Sequence, residues 1–125
     1  MEVLSFGSDD IDNALANFTP EDLDSLAFGA ILLDSNATIL AYNATESAIT
    51  GCPVEEVLGK NFFVDVAPCT STAEFKGRFD EGIAHGHLDV IFEYAFVFEH
   101  HSFKVKVHMK NAIEPGRWWI FVKRI

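Results

Sequence analysis

The chain of 125 residues has only two cysteines, Cys52 and Cys69, and no basic residue before Lys60. Two cysteines that far apart do not form a disulfide-rich scaffold, and they lack the paired spacing of a zinc site. No apolar run approaches the roughly 20 residues that a membrane-spanning helix needs, and the N-terminus has no basic, apolar leader. The sequence therefore predicts a cytoplasmic protein of a single domain, residues 1–125, without a metal site.

Positive charge is absent from the first half of the chain and confined to the second. Nineteen acidic residues face nine basic ones, and eleven of the acids fall in residues 1–59, which leaves a net charge of −10. Such a chain repels phosphates and anionic lipids, so we expect neither nucleic acid nor membrane as a partner. The acidic excess is explained by solubility. Alternatively, the acidic N-terminal segment lies on the more basic second half and could detach.

Turn residues and hydrophobic periodicity divide the first half into short elements. Residues 8–17 predict a helix, and residues 19–25 predict another, with Thr19 as its N-cap and Pro20 at its first position. Two β-rich runs on either side of a polar turn then predict a hairpin. Three further segments follow: a helix in NATESAITG, a helical turn in PVEEVLGKN and an irregular connection in FFVDVAP.

The second half predicts one longer helix and three strands. Ser71 and Glu74 have the spacing of a capping box, so the helix is expected to begin at Ser71 and to end at Gly86. In FKVKVHM apolar and basic residues alternate, which predicts one buried and one solvent-exposed face. The element order indicates an α+β fold with a central five-stranded antiparallel sheet flanked by helices. We assign residues 1–26 to an N-terminal helical cap and residues 27–125 to the core.

Cys69 directly follows Pro68 and precedes the expected helix start at Ser71. A helix N-terminus favours a nearby thiolate, and the proline restrains the backbone. This placement suits a nucleophile or a covalent attachment point. A small buried hydrophobic side chain is the alternative interpretation. Cys52 lies at a helix C-terminus, which does not favour a thiolate.

Tyr42, Glu46 and Thr50 recur every fourth residue and would share one face of a helix that begins at about Asn43. A phenol, a carboxyl and a hydroxyl could form a chain of hydrogen bonds there. If that face is buried, the glutamate has a raised pKa, stays neutral near pH 7 and can donate to an anion. Asn43 and Glu46 also fit a capping box, which is the alternative explanation of the glutamate.

The segment DVAPCT and the Tyr42–Glu46–Thr50 pattern together resemble the photoactive yellow proteins, blue-light receptors built on a PAS domain. Other matching segments run along the whole chain: FGS, LAFGAI, YNA, ITG, GKNFF, FEY, KVKVHMK and FVKR. The resemblance implies a PAS fold and p-coumaric acid (4-hydroxycinnamic acid) bound as a thioester to Cys69. It also implies that Tyr42 and Glu46 donate hydrogen bonds to the phenolate of the chromophore and that Thr50 supports the tyrosine.

The resemblance further implies a set of residues that line the chromophore pocket: Ile31, Cys52, Phe62, Val66, Ala67, Thr70, Tyr94, Phe96, Phe98 and His100. Three of them depart from the family pattern. Cys52 stands in place of an arginine, Phe98 in place of a common tyrosine, and His100 in place of a common methionine. Because imidazole titrates near neutral pH, we expect His100 to make thermal recovery depend on pH.

The function implied by the resemblance is light sensing without enzymatic turnover. Light isomerises the chromophore from trans to cis, Glu46 gives up its proton to the phenolate, and the N-terminal cap loosens. We expect a monomer that contacts a downstream signalling protein. Two alternatives stay open: a PAS module that binds another small ligand non-covalently, and a thiol enzyme that uses Cys69 as its nucleophile.

Overall fold

One antiparallel sheet forms the centre of the computed structural model, which describes residues 6–7, 11, 15, 18–98 and 101–125. Its five strands are β1 (Gly29–Asp34), β2 (Ile39–Tyr42), β3 (Asp89–Phe98), β4 (His101–Asn111) and β5 (Arg117–Arg124). They lie in the order β2-β1-β5-β4-β3, and every neighbouring pair is antiparallel. The predicted hairpin is β1–β2, and the prediction of a five-stranded antiparallel sheet in an α+β fold is confirmed.

Among the described residues, four short helices with complete bounds accompany the sheet: α1 (Pro20–Asp24), α2 (Ala44–Thr50), α3 (Val54–Val57) and α4 (Lys76–His85). Thr19 caps α1 as predicted, because its hydroxyl accepts from the backbone N–H of Asp22. The connection predicted to be irregular is a π-helical turn, Phe62–Val66. The side chain of Asn61 starts this turn by accepting from the N–H groups of Phe63 and Val64.

The prediction that a helix begins at Ser71 is wrong, because α4 begins at Lys76. The Ser71 hydroxyl donates to the carbonyl of Phe63 at 2.8 Å and thus ties the loop back to the π-helical turn. A short 3₁₀ turn, Pro68–Thr70, precedes that loop. The other end of α4 is as predicted: Gly86 follows it with a left-handed φ of 72°, a conformation that favours glycine.

The two faces of the sheet are buried by different parts of the chain. On the inner face, β1 residues such as Ile31 and Leu33 pack under the helices and turns of residues 44–85, in a core rich in phenylalanine. On the outer face, Ala30, Trp119 and Phe121 pack against the N-terminal residues Ile11, Leu15, Leu23, Leu26 and Phe28. The N-terminal segment thus covers the outer face with apolar side chains.

This cover explains why the alternation in β4 was only partly predictive. Lys104 and Lys106 are exposed as expected, but His108 is 1% exposed and Lys110 is 9% exposed. The His108 ring contacts the rings of Phe6 and Phe121, and its Nε2 lies 2.9 Å from Asp89 Oδ1.

The helix predicted over residues 8–17 lies mostly outside the described residues. Its two described residues, Ile11 and Leu15, are helical and buried. Within the part of the chain that the structure describes, no helix has the length and apolarity to cross a membrane.

Candidate functional site

Helix α2 carries a carboxyl group into the protein interior. Glu46, in the first turn of α2, is 0% exposed, and neither of its carboxyl oxygens has a hydrogen-bond partner among the described residues. Burial raises the pKa of this carboxyl from 4.5 to about 8. Glu46 is therefore neutral at pH 7 and holds an O–H group that can donate to a ligand.

The explanation of Glu46 as part of a capping box is wrong for its side chain. Asn43 does cap α2, since its Oδ1 accepts from the backbone N–H of Glu46 at 3.0 Å, but the Glu46 carboxyl returns no bond. Asn43 instead completes its own hydrogen bonding elsewhere. Its Oδ1 also accepts from the N–H of Ala30, and its Nδ2 donates to the carbonyls of Leu23 and Phe28.

Tyr42 and Thr50 meet as the sequence pattern predicted, although Tyr42 ends β2 and is not part of the helix. Their hydroxyl oxygens are 2.5 Å apart, and the Thr50 hydroxyl also lies 3.1 Å from the carbonyl of Glu46. The backbone N–H of Cys52 donates to Thr50 Oγ1 at 3.3 Å. Burial, together with the neighbouring Glu46, raises the pKa of Tyr42 well above its usual value. The phenol is therefore a neutral donor.

Cys69 is half-buried in the middle of the 3₁₀ turn. The helix-terminus argument for its thiol is wrong, because α4 begins at Lys76. Hydroxyl groups fix the turn instead. Tyr94 Oη donates to the carbonyl of Cys69 at 2.7 Å, and Thr70 Oγ1 donates to the carbonyl of Ala67 at 2.6 Å. The Tyr94 hydroxyl also lies 2.8 Å from Thr72 Oγ1, a contact that sequence reasoning missed.

Most of the predicted pocket residues belong to one cluster on the inner face of the sheet. Its buried members include Ile31, Tyr42, Phe62, Val66, Ala67 and Phe96, with Cys52, Cys69 and Tyr94 packed against it. Thr70 is fully buried beside them. Phe98 lies in β3 opposite His101, but its side chain is outside the described structure, and so is the whole of His100.

Sequence reasoning also missed Gly29, at the start of β1. The Glu46 carboxyl lies directly against this glycine. A signal was present, because a glycine inside a strand pattern often marks a close approach of another group.

Comparison with known proteins identifies the fold and close relatives. A family model described as the PAS fold matches residues 21–125. The chain is 56% identical to the photoactive yellow protein of Rhodothalassium salexigens and 55% identical to that of Halochromatium salexigens, each over 100% of both chains. The crystal structure of the photoactive yellow protein domain from the sensor histidine kinase Ppr of Rhodospirillum centenum superposes with a TM-score of 0.87 at 40% identity. That match covers 90% of this chain and 99% of the other.

Proposed function

This chain belongs to the photoactive yellow protein family, whose members are PAS-domain photoreceptors and not enzymes, and we propose that it senses blue light through p-coumaric acid bound as a thioester to Cys69. One observation carries the proposal: the Glu46 carboxyl is fully buried and has no hydrogen-bond partner in the described structure. This burial raises its pKa to about 8. Burying a polar group in this way is costly unless a ligand supplies the partner.

The residues present fit such a chromophore. Thioester formation needs an accessible cysteine on a fixed backbone, and Cys69 is half-buried on a turn that Tyr94 holds. A buried anion needs donors, and the hydroxyl of Tyr42 and the protonated carboxyl of Glu46 are both neutral donors. When bound, the chromophore supplies the absorption of blue light, a double bond that isomerises from trans to cis, and a phenolate.

We assign the role of proton donor to Glu46. Its raised pKa lets the carboxyl hold a proton at pH 7, so that a transfer leaves a carboxylate at full burial. An uncompensated buried charge destabilises the packing around it by several kcal/mol. Tyr42 keeps its proton, because its pKa is raised well beyond that of Glu46, and Thr50 holds the phenol in place.

The destabilising effect of a charge on Glu46 would be transmitted to the N-terminal cap through the first turn of α2. This turn is bonded to residues 23–28 by two bonds from Asn43 Nδ2, one from the Ala44 N–H to Asp24 Oδ1 and one from Thr45 Oγ1 to the Leu26 carbonyl. A cleft of about 290 Å³ lies between described residues of the cap, such as Leu15 and Leu23, and the sheet. We infer that the cap loosens in the light. Hydrogen exchange in residues 1–25 should then increase on illumination, and unchanged exchange would contradict the inference.

We further propose that the outer face of the sheet, once exposed, binds a downstream signalling protein. The apolar side chains of Ala30, Trp119 and Phe121, which the cap covers, support this surface. The net charge of −10 supports a partner other than nucleic acid or anionic membrane. A monomeric state and a cytoplasmic location remain predictions from the sequence.

The proposal is tested by treating the purified apoprotein with activated p-coumaric acid. We expect a yellow folded protein that bleaches under blue light and recovers in the dark, and one added chromophore mass that stays on the chain after denaturation. Cys69→Ser should abolish the adduct. Cys52→Ser is the matched control, since Cys52 is also half-buried, and it should keep the adduct.

Three results would overturn the assignment to Cys69. An added mass that is lost on denaturation would indicate non-covalent ligand binding. Continuous hydrolysis of the activated p-coumaric acid by the protein would indicate a thiol enzyme. An adduct retained by Cys69→Ser and lost in Cys52→Ser would place the attachment at the other cysteine.

A further inference from the structure

The Glu46 carboxyl occupies space that a side chain at position 29 would otherwise fill. A β-carbon placed on Gly29 would lie 1.8 Å from Glu46 Oε2 and 2.9 Å from Glu46 Cδ. The same β-carbon would lie 3.2 Å from Glu46 Cα, which is tight but requires a shift of only a few tenths of an ångström. The main conflict is thus with the carboxyl group and not with the helix backbone.

The backbone of α2 is held close to Gly29 from both sides. Asn43, the N-cap of α2, accepts from the N–H of Ala30 at 3.0 Å and donates to the carbonyl of Phe28 at 3.0 Å. These two bonds flank Gly29 and join the start of the helix to the start of β1. The helix backbone can give by a few tenths of an ångström, but it cannot withdraw far enough to clear the carboxyl without breaking buried hydrogen bonds, so a new side chain there must displace the carboxyl instead.

We propose that Gly29 is a positioning residue for Glu46: because glycine has no side chain, it leaves the space that keeps the carboxyl inside the protein. Gly29 contacts the Glu46 carboxyl and acts on the proposed chromophore only through it. The proposal rests on the proposed function for its effect on light sensing, but the burial of the Glu46 carboxyl against Gly29 is a property of the apoprotein.

The test is the titration of Glu46 in the apoprotein, followed by the infrared absorption of its protonated carboxyl. The same spectrum of Glu46→Gln serves as the reference. We expect the titration of the parent to be centred near pH 8, because burial disfavours the carboxylate. Among the described residues, the titratable groups of the pocket cluster are Tyr42, Cys52, Cys69 and Tyr94. We expect Gly29→Ala to lower the midpoint by at least one pH unit, because the displaced carboxyl is better hydrated. An unchanged midpoint overturns the proposal.

Gly77→Ala is the matched control. Gly77 lies in α4, and a β-carbon there would meet its nearest atoms at 3.8 Å, an ordinary contact. This variant should leave the Glu46 titration unchanged, and a shift equal to that of Gly29→Ala overturns the proposal.

A second measurement keeps the proposal testable if Gly29→Ala fails to fold. In a Glu46→Ala background the carboxyl is gone. The double variant with Gly29→Ala should therefore fold, and its denaturation midpoint should lie close to that of Glu46→Ala alone. Failure to fold in this background as well would show that the glycine serves the backbone, which overturns the proposal. Neither measurement uses the chromophore, so a failure of the proposed function would appear separately, in the adduct experiment.

Discussion

Two polar side chains at the start of α2 are almost equally buried but differ in their hydrogen bonding. Asn43, on the side of the cap, is 1% exposed and makes four hydrogen bonds. Glu46, on the side of Tyr42 and Thr50, is 0% exposed, and its carboxyl makes none within the described residues. A fully satisfied buried group serves the fold, whereas an unsatisfied one calls for a functional explanation. Three positions along the chain thus separate a structural site from the proposed functional one.

The largest effect is expected on the structural side. Asn43→Ala removes the hydrogen bonds that the side chain makes with two N–H groups and two carbonyls, so we expect a loss of about 4 kcal/mol in the free energy of unfolding. Denaturant unfolding of the apoprotein at pH 5 measures it. Thr45→Ala, which removes a single bond to the Leu26 carbonyl, is the control and should cost about 1 kcal/mol. Equal losses in the two variants would contradict the contrast.

The functional side should be recognisable by its dependence on pH. The pKa of Glu46 is about 8 in the folded protein and 4.5 as its ordinary value, so the unfolded state releases its proton first as the pH rises. Its contribution to stability is therefore complete below about pH 4.5 and is lost towards pH 8, at up to about 1.4 kcal/mol per pH unit.

Unfolding of the apoprotein between pH 5 and pH 7.5 checks this slope. Glu46→Gln, which cannot ionise, should lose the slope and gain about 3 kcal/mol over the parent across this range. Parallel curves for the two proteins would show that Glu46 does not titrate as the structure indicates.

The smallest effect concerns the bond between Tyr42 and Thr50. Thr50→Val and Tyr42→Phe each remove it, and we expect a coupling energy of about 1 kcal/mol in a double-mutant cycle at pH 5. Strict additivity of the two substitutions would mean that the bond contributes nothing in solution.

Features of this protein that depend on local sequence patterns could be predicted, whereas features that depend on long-range contacts could not. The hairpin, the Thr19 cap and the Tyr42–Thr50 pair depend on neighbours within eight residues or on alternation along one strand. The prediction that a helix starts at Ser71 is wrong because the Ser71 hydroxyl donates to the carbonyl of Phe63 instead of capping a helix. His108 was expected to face solvent but is covered by Phe6, about a hundred positions away.

The site shows the same division between local and long-range information. Spacing brought Tyr42, Glu46 and Thr50 to attention, but two explanations of the glutamate remained open. Only the three-dimensional structure shows that Asn43 forms its hydrogen bonds with Ala30 and with residues before β1. It also shows that Gly29 leaves space for the Glu46 carboxyl.

The most direct test of the account is the infrared absorption of Glu46 in the chromophore-loaded protein at pH 7, before and after a blue flash. Glu46→Gln identifies the band. The account predicts a protonated carboxyl in the dark that loses its proton after the flash and regains it during recovery. A carboxyl already ionised in the dark, or one whose protonation the flash leaves unchanged, would contradict the role of Glu46 as a buried proton donor.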